Sequence, residues 1–212
     1  MKLWNNNIVP KDNGKIVNAL FPYHGIIGFC GKQGSGKTYS AVKLAMELYN
    51  NYNIAIITNM AFNHIDMVDD IYKFTNIEDC FDIPVKYDGA IILIDEITNV
   101  FNNLDYKTFD SRWFDIINML RKRHILLIGT CPVFNRINKA FREQFDYFVD
   151  CANVHFFKWT FQNNEVYISR SVSFFDETQF PFEFLQKNYF WHKKTIYESY
   201  NTLELIRKEA IE

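Results

Sequence analysis

Short continuous apolar runs alternate, along the first two thirds of the chain, with segments whose apolar positions recur every three or four residues. Ile26, Ile27, Gly28, Phe29 and Cys30 form a run that ends in a glycine-rich turn, the pattern of a strand buried on both faces. Beyond the turn, Ala41, Val42, Leu44, Ala45 and Leu48 predict a helix reaching Asn50. Residues 53–58, with Ile54, Ala55, Ile56 and Ile57, and residues 90–94 predict the second and third strands. The segment between them mixes Asp, Asn and Pro84 and reads as a helix plus irregular structure. Trp113, Ile116, Ile117 and Leu120 stand at i, i+3, i+4 and i+7, so 111–123 reads as an amphipathic helix feeding a fourth strand over 124–129. Residues 135–144 read as a further helix, with Ile137, Ala140 and Phe141 inward, and 145–149 as a fifth strand. Strands alternating with helices predict an α/β fold in three layers, a mostly parallel central sheet with helices on both faces.

Past Cys151 the period changes. Residues 154–161 and 166–174 alternate around Asn163 and Asn164, which predicts a C-terminal β-hairpin turning at that pair. From Pro181 onward the chain reads as two helical pieces. The expected organisation is an N-terminal arm (1–24), a core (25–152) and a C-terminal hairpin with a helical extension or cap (153–212). Composition supports a folded chain: 48% of the 212 residues are hydrophobic and 23% charged, which excludes a disordered or collagen-like protein. The net charge of -2 excludes a globally basic nucleic-acid binder and leaves room for local basic patches. The longest apolar runs are far shorter than a membrane span, and the N-terminus lacks a secretory apolar stretch, so a cytoplasmic protein is expected. Cys30, Cys80, Cys131 and Cys151 are scattered without metal-ligand spacing and read as reduced core thiols.

The candidate chemistry begins where the first strand ends. Gly31, Lys32, Gln33, Gly34, Ser35, Gly36, Lys37 and Thr38 match G-x-x-x-x-G-K-[ST] between a strand and a helix, the context a phosphate-binding Walker A loop requires. Its glycines allow backbone N–H groups to turn inward around phosphate oxygens, and the helix N-terminus adds positive potential. The nucleotide-binding segment is taken to run through Tyr39. Lys37 is expected to reach the β- and γ-phosphates, and Thr38 to ligate Mg²⁺. Residues 90–94 then deliver Asp95 and Glu96 at the edge where open α/β sheets bind ligands. Asp95 is expected to hold Mg²⁺ through water and Glu96 to polarise the attacking water, the arrangement of a Walker B hydrolase; the competing reading is an acidic pair capping the next helix. Together the motifs predict Mg²⁺-dependent ATP hydrolysis.

The order of these motifs resembles the FtsK/HerA superfamily of P-loop NTPases, and within it viral genome-packaging ATPases and the zonular occludens toxin (Zot)-like assembly ATPases of filamentous phages. The matching stretches are 31–38, the strand ending at Thr58 and Asn59, the strand ending at Asp95 and Glu96, 120–130, and the Tyr-rich segment 196–202. Thr58 and Asn59 read either as a loop turn or as nucleotide-proximal. The resemblance implies a homo-oligomeric ring that moves DNA without sequence preference, with capsid or other virion-assembly proteins as partners and, if viral, the host cytoplasm as its place. It also implies an arginine finger reaching a neighbouring subunit's γ-phosphate. Arg123 and then Arg121 are the first candidates, Arg136 and Arg142 the competing source, and a solvated helix end or face is the alternative for each group. The chain departs from the family in two ways. Thr130 and Cys131 stand where a Gln sensor is usual, so the γ-phosphate sensor is Thr130 alone or lies elsewhere. The membrane span usual in filamentous-phage assembly ATPases is absent, which moves the expectation toward a soluble packaging motor; the alternatives are a Zot-like morphogenesis or extrusion ATPase acting with protein partners, or a conjugation- or segregation-type DNA pump.

Overall fold

A computed structural model describes residues 8–10, 16–18, 24–52, 54–62, 70–73, 77–81, 87, 89–101, 111–156, 159–169 and 182–201. Two short strands, β1 (Ile8–Pro10) and β2 (Ile16–Asn18), pair antiparallel with each other. The first apolar run is β3 (Gly25–Cys30), buried at every position. It is followed by α1 (Lys37–Asn51), β4 (Ile54–Thr58), β5 (Ala61–Phe62), β6 (Ile71–Lys73) and β7 (Gly89–Ile94). Next come α2 (Arg112–Met119), β8 (Ile125–Cys131), the single turn α3 (Lys139–Arg142), β9 (Tyr147–Phe156) and β10 (Trp159–Ser169). The described chain closes with β11 (Phe182–Trp191), α4 (Lys194–Glu198) and β12 (Tyr200–Asn201).

One eight-stranded sheet, in the order β11-β10-β9-β3-β8-β7-β4-β6, organises the molecule. The six strands from β9 to β6 run parallel, and β10 and β11 add an antiparallel margin. The register sets Cys30 beside Cys131, Phe29 beside Thr130, and Ile94 beside Gly129. The C-terminal ends of β3, β7 and β8 therefore reach the same edge, and the loops that leave them meet there.

Why the central strands read as unbroken apolar runs follows from the layering. Ile27, Phe29, Ile56, Leu93 and Ile128 pack with Ala41, Leu44 and Ala45 of α1 on one face. Ile26, Ile92, Ile94 and Leu127 pack on the other with Trp113, Phe134, Phe141 and Phe145. Each fully buried Ile or Phe contributes about 1.5–3 kcal/mol relative to an exposed one. On that second face, Phe101 stacks on Phe141 with centroids 3.7 Å apart and meets Trp113 edge-on at 4.8 Å. All four cysteines are buried free thiols, and the Cys30 and Cys131 Sγ atoms lie 2.7 Å apart.

Three expectations are corrected. Residues 135–144 do not form one helix: a 3-10 turn at Phe134–Arg136 gives way to extended Ile137, and Asn138 then caps α3 by accepting from the Ala140 N–H at 3.0 Å. Between β4 and β7 the described residues hold β5, β6 and a 3-10 turn at Ile77–Cys80, and the rest of the segment in which a helix is expected, 63–69, 74–76 and 82–86, lies outside the described residues. Asn163 and Asn164 lie inside β10, where they pair with Ala152 and Cys151 of β9, so the hairpin does not turn at that pair. Residues 182–191 form β11 and not a helix, because they pair along the length of β10, with a bulge at Val166/Tyr167. The hairpin thus extends the central sheet, and β9 crosses residue 152 without a break. Most of the N-terminal arm, and 202–212, lie outside the described residues. No helix among the described residues is long and apolar enough to cross a membrane.

The close approach of β7 and β8 supplies a test of this packing. A Cβ at Gly89 would stand 2.6 Å from the His124 carbonyl oxygen, a backbone atom with no rotamer to yield. Gly89→Ala is expected to destabilise the fold by about 1–3 kcal/mol in urea unfolding. An unchanged midpoint would show that the two strands do not meet this closely.

Candidate active site

The loop between β3 and α1 is built on left-handed glycines: φ is +143° at Gly31, +77° at Gly34 and +84° at Gly36. A Cβ at Gly34 would meet nothing within 4 Å, so backbone conformation alone accounts for glycine there. At Gly31 a Cβ would stand 2.6 Å from the Cys151 carbonyl oxygen, because β9 runs past its last β3 partner and flanks the loop. The Ser35 N–H donates to the Lys32 carbonyl at 3.1 Å and closes the turn, and Lys37 Nζ donates to the same carbonyl at 3.1 Å. Gly36 is the N-cap of α1. No side chain caps it and no acid stands in the first turn, so the helix turns an uncapped N-terminus to the loop. Lys32, Gln33 and Gly34 form the exposed tip.

Asp95 leaves the end of β7 into this edge and is held by three elements. Thr38 Oγ1 of α1 donates to Asp95 Oδ1 at 3.0 Å, and Thr130 Oγ1 of β8 donates to the same oxygen at 2.6 Å. Asn59, just past β4, grips the backbone: its Nδ2 donates to the Asp95 carbonyl at 2.9 Å and its Oδ1 accepts from the Asp95 N–H at 2.8 Å. The next residue, Glu96, adopts φ 51°, uncommon for a residue with a side chain, and its N–H donates to Thr130 Oγ1 at 2.9 Å. Its side chain is exposed. Asp95 is thus fixed while Glu96 projects from the same edge as the loop, and the element that directly follows the pair is the 3-10 turn Ile97–Asn99, not an α-helix. A hard divalent cation takes oxygen ligands, and the Thr38 hydroxyl and Asp95 carboxylate, already 3.0 Å apart, are the donors that fit one.

The remaining expected residues fall in different places. Thr130 is fully buried behind Asp95, where it touches the carboxylate and the Glu96 N–H. Tyr39 is buried under the C-terminal segment: its hydroxyl accepts from the Lys193 N–H at 2.7 Å, and its ring stacks on His192 with centroids 4.2 Å apart. Burial raises its pKa. Arg121 is exposed, and Arg123 Nη1 donates to the Phe81 carbonyl at 2.9 Å. Both precede β8, at the edge opposite the loop, roughly 20 Å away at strand rise. Arg136 is exposed in the turn after β8, on the loop's own edge, and Arg142 Nη1 donates to Asn135 Oδ1 at 2.7 Å.

Sequence reasoning underrates Asn59 and misses Asn153, Gln162 and Asn164. Asn153 Nδ2 donates to the Gly34 carbonyl at 2.6 Å, Gln162 Nε2 to the Ser35 carbonyl at 2.9 Å, and Asn164 Nδ2 to Ser40 Oγ at 3.0 Å. The available signal was period two: Gln162 and Asn164 alternate along one strand face that continues into buried Val166.

Comparison with known proteins finds chains of similar fold. The N-terminal domain of zonular occludens toxin from Neisseria meningitidis is similar in fold, with a TM-score of 0.54 and 14% identity over 84% of this chain and 99% of that one. The genome packaging NTPase B204 from Sulfolobus turreted icosahedral virus 2, in complex with ATP-gammaS, is similar at a TM-score of 0.47 and 14% identity, covering 61% of this chain and 75% of that one. The pCW3 conjugation coupling protein TcpA gives 0.45 and 14%, covering 68% and 53%. No curated protein matches the sequence. Residues 27–152, which hold the loop, both carboxylates and Thr130, match the family described as ATPase family associated with various cellular activities (AAA). The chain belongs to that family and is a P-loop ATPase.

Proposed function

We propose that the chain is an ATP-hydrolysing motor that translocates DNA, packaging a viral genome into virions. The observation that carries the hydrolytic part is the contrast between Asp95, clamped by Thr38, Thr130 and Asn59, and Glu96, turned out beside it. A second carboxylate free to orient water suits a hydrolase, where a small-molecule kinase would leave that place to its substrate. In this reading the loop N–H groups and Lys37 bind the phosphates, and Thr38 and Asp95 hold Mg²⁺. When bound, that ion neutralises charge on the β- and γ-oxygens. Glu96 accepts a hydrogen bond from the attacking water and aims it in line. Thr130 keeps Asp95 and the Glu96 backbone in register and acts through them.

DNA as the substrate, and a homo-oligomeric ring as the working form, rest on the resemblance of the motif order to the FtsK/HerA motors. Capsid or other virion-assembly proteins are the partners that reading entails, and the host cytoplasm its place. A second reading, a Zot-like morphogenesis ATPase acting on protein partners, is favoured by one observation: the fold shared with the Neisseria meningitidis domain runs through 84% of the chain. For the trans arginine finger, Arg136 moves ahead of Arg123, since it is exposed on the loop's edge while the Arg123 guanidinium is bonded to Phe81.

Lys37→Ala is expected to abolish hydrolysis. Glu96→Gln is expected to bind nucleotide and to turn over about 10²-fold more slowly or worse, as steady-state and binding assays will read. Near-normal turnover in either variant refutes the assignment. For the finger, Arg136→Ala is expected to lose turnover by about 10³-fold with binding retained, and to regain activity when mixed with the Lys37→Ala protein. Normal turnover in Arg136→Ala together with loss in Arg123→Ala returns the role to the opposite edge. For the substrate, double- and single-stranded DNA are each added to an ATPase assay across a salt series. Stimulation that is indifferent to sequence and fades steeply with salt is expected, because phosphate-directed binding releases counterions. No binding at low salt and no change in rate would discard the DNA motor in favour of the morphogenesis reading.

A further inference from the structure

The phosphate-binding loop is held from outside by a chain of hydrogen bonds whose donor direction can be assigned at every step. The Ser35 carbonyl only accepts, so the group facing it at 2.9 Å is the Gln162 amide nitrogen. That nitrogen also donates to Asn164 Oδ1 at 2.7 Å, and Asn164 is itself oriented by donating to Ser40 Oγ. Gln162 Oε1 is thereby left as an acceptor, and His192 Nε2, 3.0 Å away, is its donor. A neutral His192 then presents Nδ1 as an acceptor, and the Tyr197 hydroxyl bonds to it. The whole runs one way, from Tyr197 through His192 and Gln162 to the Ser35 carbonyl. Gln162 and Asn164 are fully buried, and the His192 ring is clamped against Tyr39 of α1.

The peptide plane turns this into a statement about the site. The Ser35 C=O and the Gly36 N–H belong to one planar trans peptide and point in opposite directions. A donor that draws the Ser35 carbonyl outward therefore turns the Gly36 N–H inward, toward the concave side of the loop. Gly36 is glycine partly for the same reason, since a Cβ there would collide with the Gln162 and Asn153 amide oxygens. We propose that Gln162, aimed by His192, is a positioning residue for nucleotide binding: it sets the Ser35–Gly36 peptide so that an N–H faces the phosphates. The C-terminal segment carrying His192 and Tyr197 thus acts on the Walker A loop without touching the nucleotide.

Four variants test this, with a fluorescent ATP analogue for affinity, steady-state turnover, and melting temperature without nucleotide. Gln162→Glu keeps shape and the acceptor for His192 but sets an oxygen against the Ser35 carbonyl. It is expected to weaken binding about tenfold, the size of one lost hydrogen bond to a positioned group, while kcat at saturation stays within about threefold. His192→Phe keeps the ring on Tyr39 and loses the donor, so it should weaken binding in the same direction. His192→Gln loses the ring but restores a donor at the Nε2 position and should recover affinity. Lys37→Ala reports whether the assay follows this ATPase site, so failure of the site assignment is distinguishable from failure of the relay. Unchanged affinity in a folded Gln162→Glu, or His192→Gln binding no better than His192→Phe, overturns the proposal. So does a loss of affinity that simply follows melting temperature. If Gln162→Glu does not fold, the His192 pair decides alone.

Discussion

The site hangs on one carboxylate. Asp95 Oδ1 accepts from hydroxyls on two different elements, and the peptide groups on either side of its Cα are both tied to Asn59. A carboxylate taken partly out of water needs such donors, because they replace the hydrogen bonds that water gave it. The same bonds fasten the start of α1, the end of β8 and the loop after β4 to the end of β7. Four elements far apart in sequence thus share one fixed point, and the distance from loop to carboxylate is set by Thr38 reaching across at 3.0 Å. Glu96 gains its freedom from this arrangement: with Asp95 locked and its own N–H bonded to Thr130, only its side chain can move.

The loop and both carboxylates were legible because each signal is local. Glycines at 31, 34 and 36 occupy the left-handed positions they imply, and the apolar run before Asp95 is the buried strand it predicts. The parallel core was legible for the same reason, since strands buried on both faces leave an unbroken apolar record. What failed depends on partners. An Asn–Asn pair between alternating runs signals a turn equally well when one of the asparagines is needed inside a strand, and only the proximity of Ser40 to Asn164 decides. In the same way 182–191 form a strand because β10 offers them a margin to pair with, which no window of that segment reveals.

The C-terminal hairpin changes meaning once its register is known. As an appendage it would be dispensable to the chemistry. As a continuation of β9 it forms the wall of the phosphate loop, and three amides reach from it to the loop and α1. Burying amides there is favourable only while each finds its partner; a β10 displaced by a single register step would turn Gln162 and Asn164 to the opposite face and leave the Ser35 carbonyl and the Ser40 hydroxyl without them. Selection for nucleotide binding and selection for hairpin register therefore act on the same residues.

The placement of the basic residues constrains any ring. Arg121 and Arg123 lie at the N-terminal edge of β8, and Arg136 lies at its C-terminal edge beside the loop. In a cyclic assembly the contacts are heterologous, one patch of each subunit meeting a different patch of the next. A neighbour that offers the Arg136 edge to this loop cannot at the same contact offer the opposite edge of its sheet, a strand length away. In the proposed ring, therefore, only one of the two arginine groups can serve as the finger at that contact. Arg123 is in any case tied to the Phe81 carbonyl at that opposite edge, so of the two groups only Arg136 is exposed beside the loop.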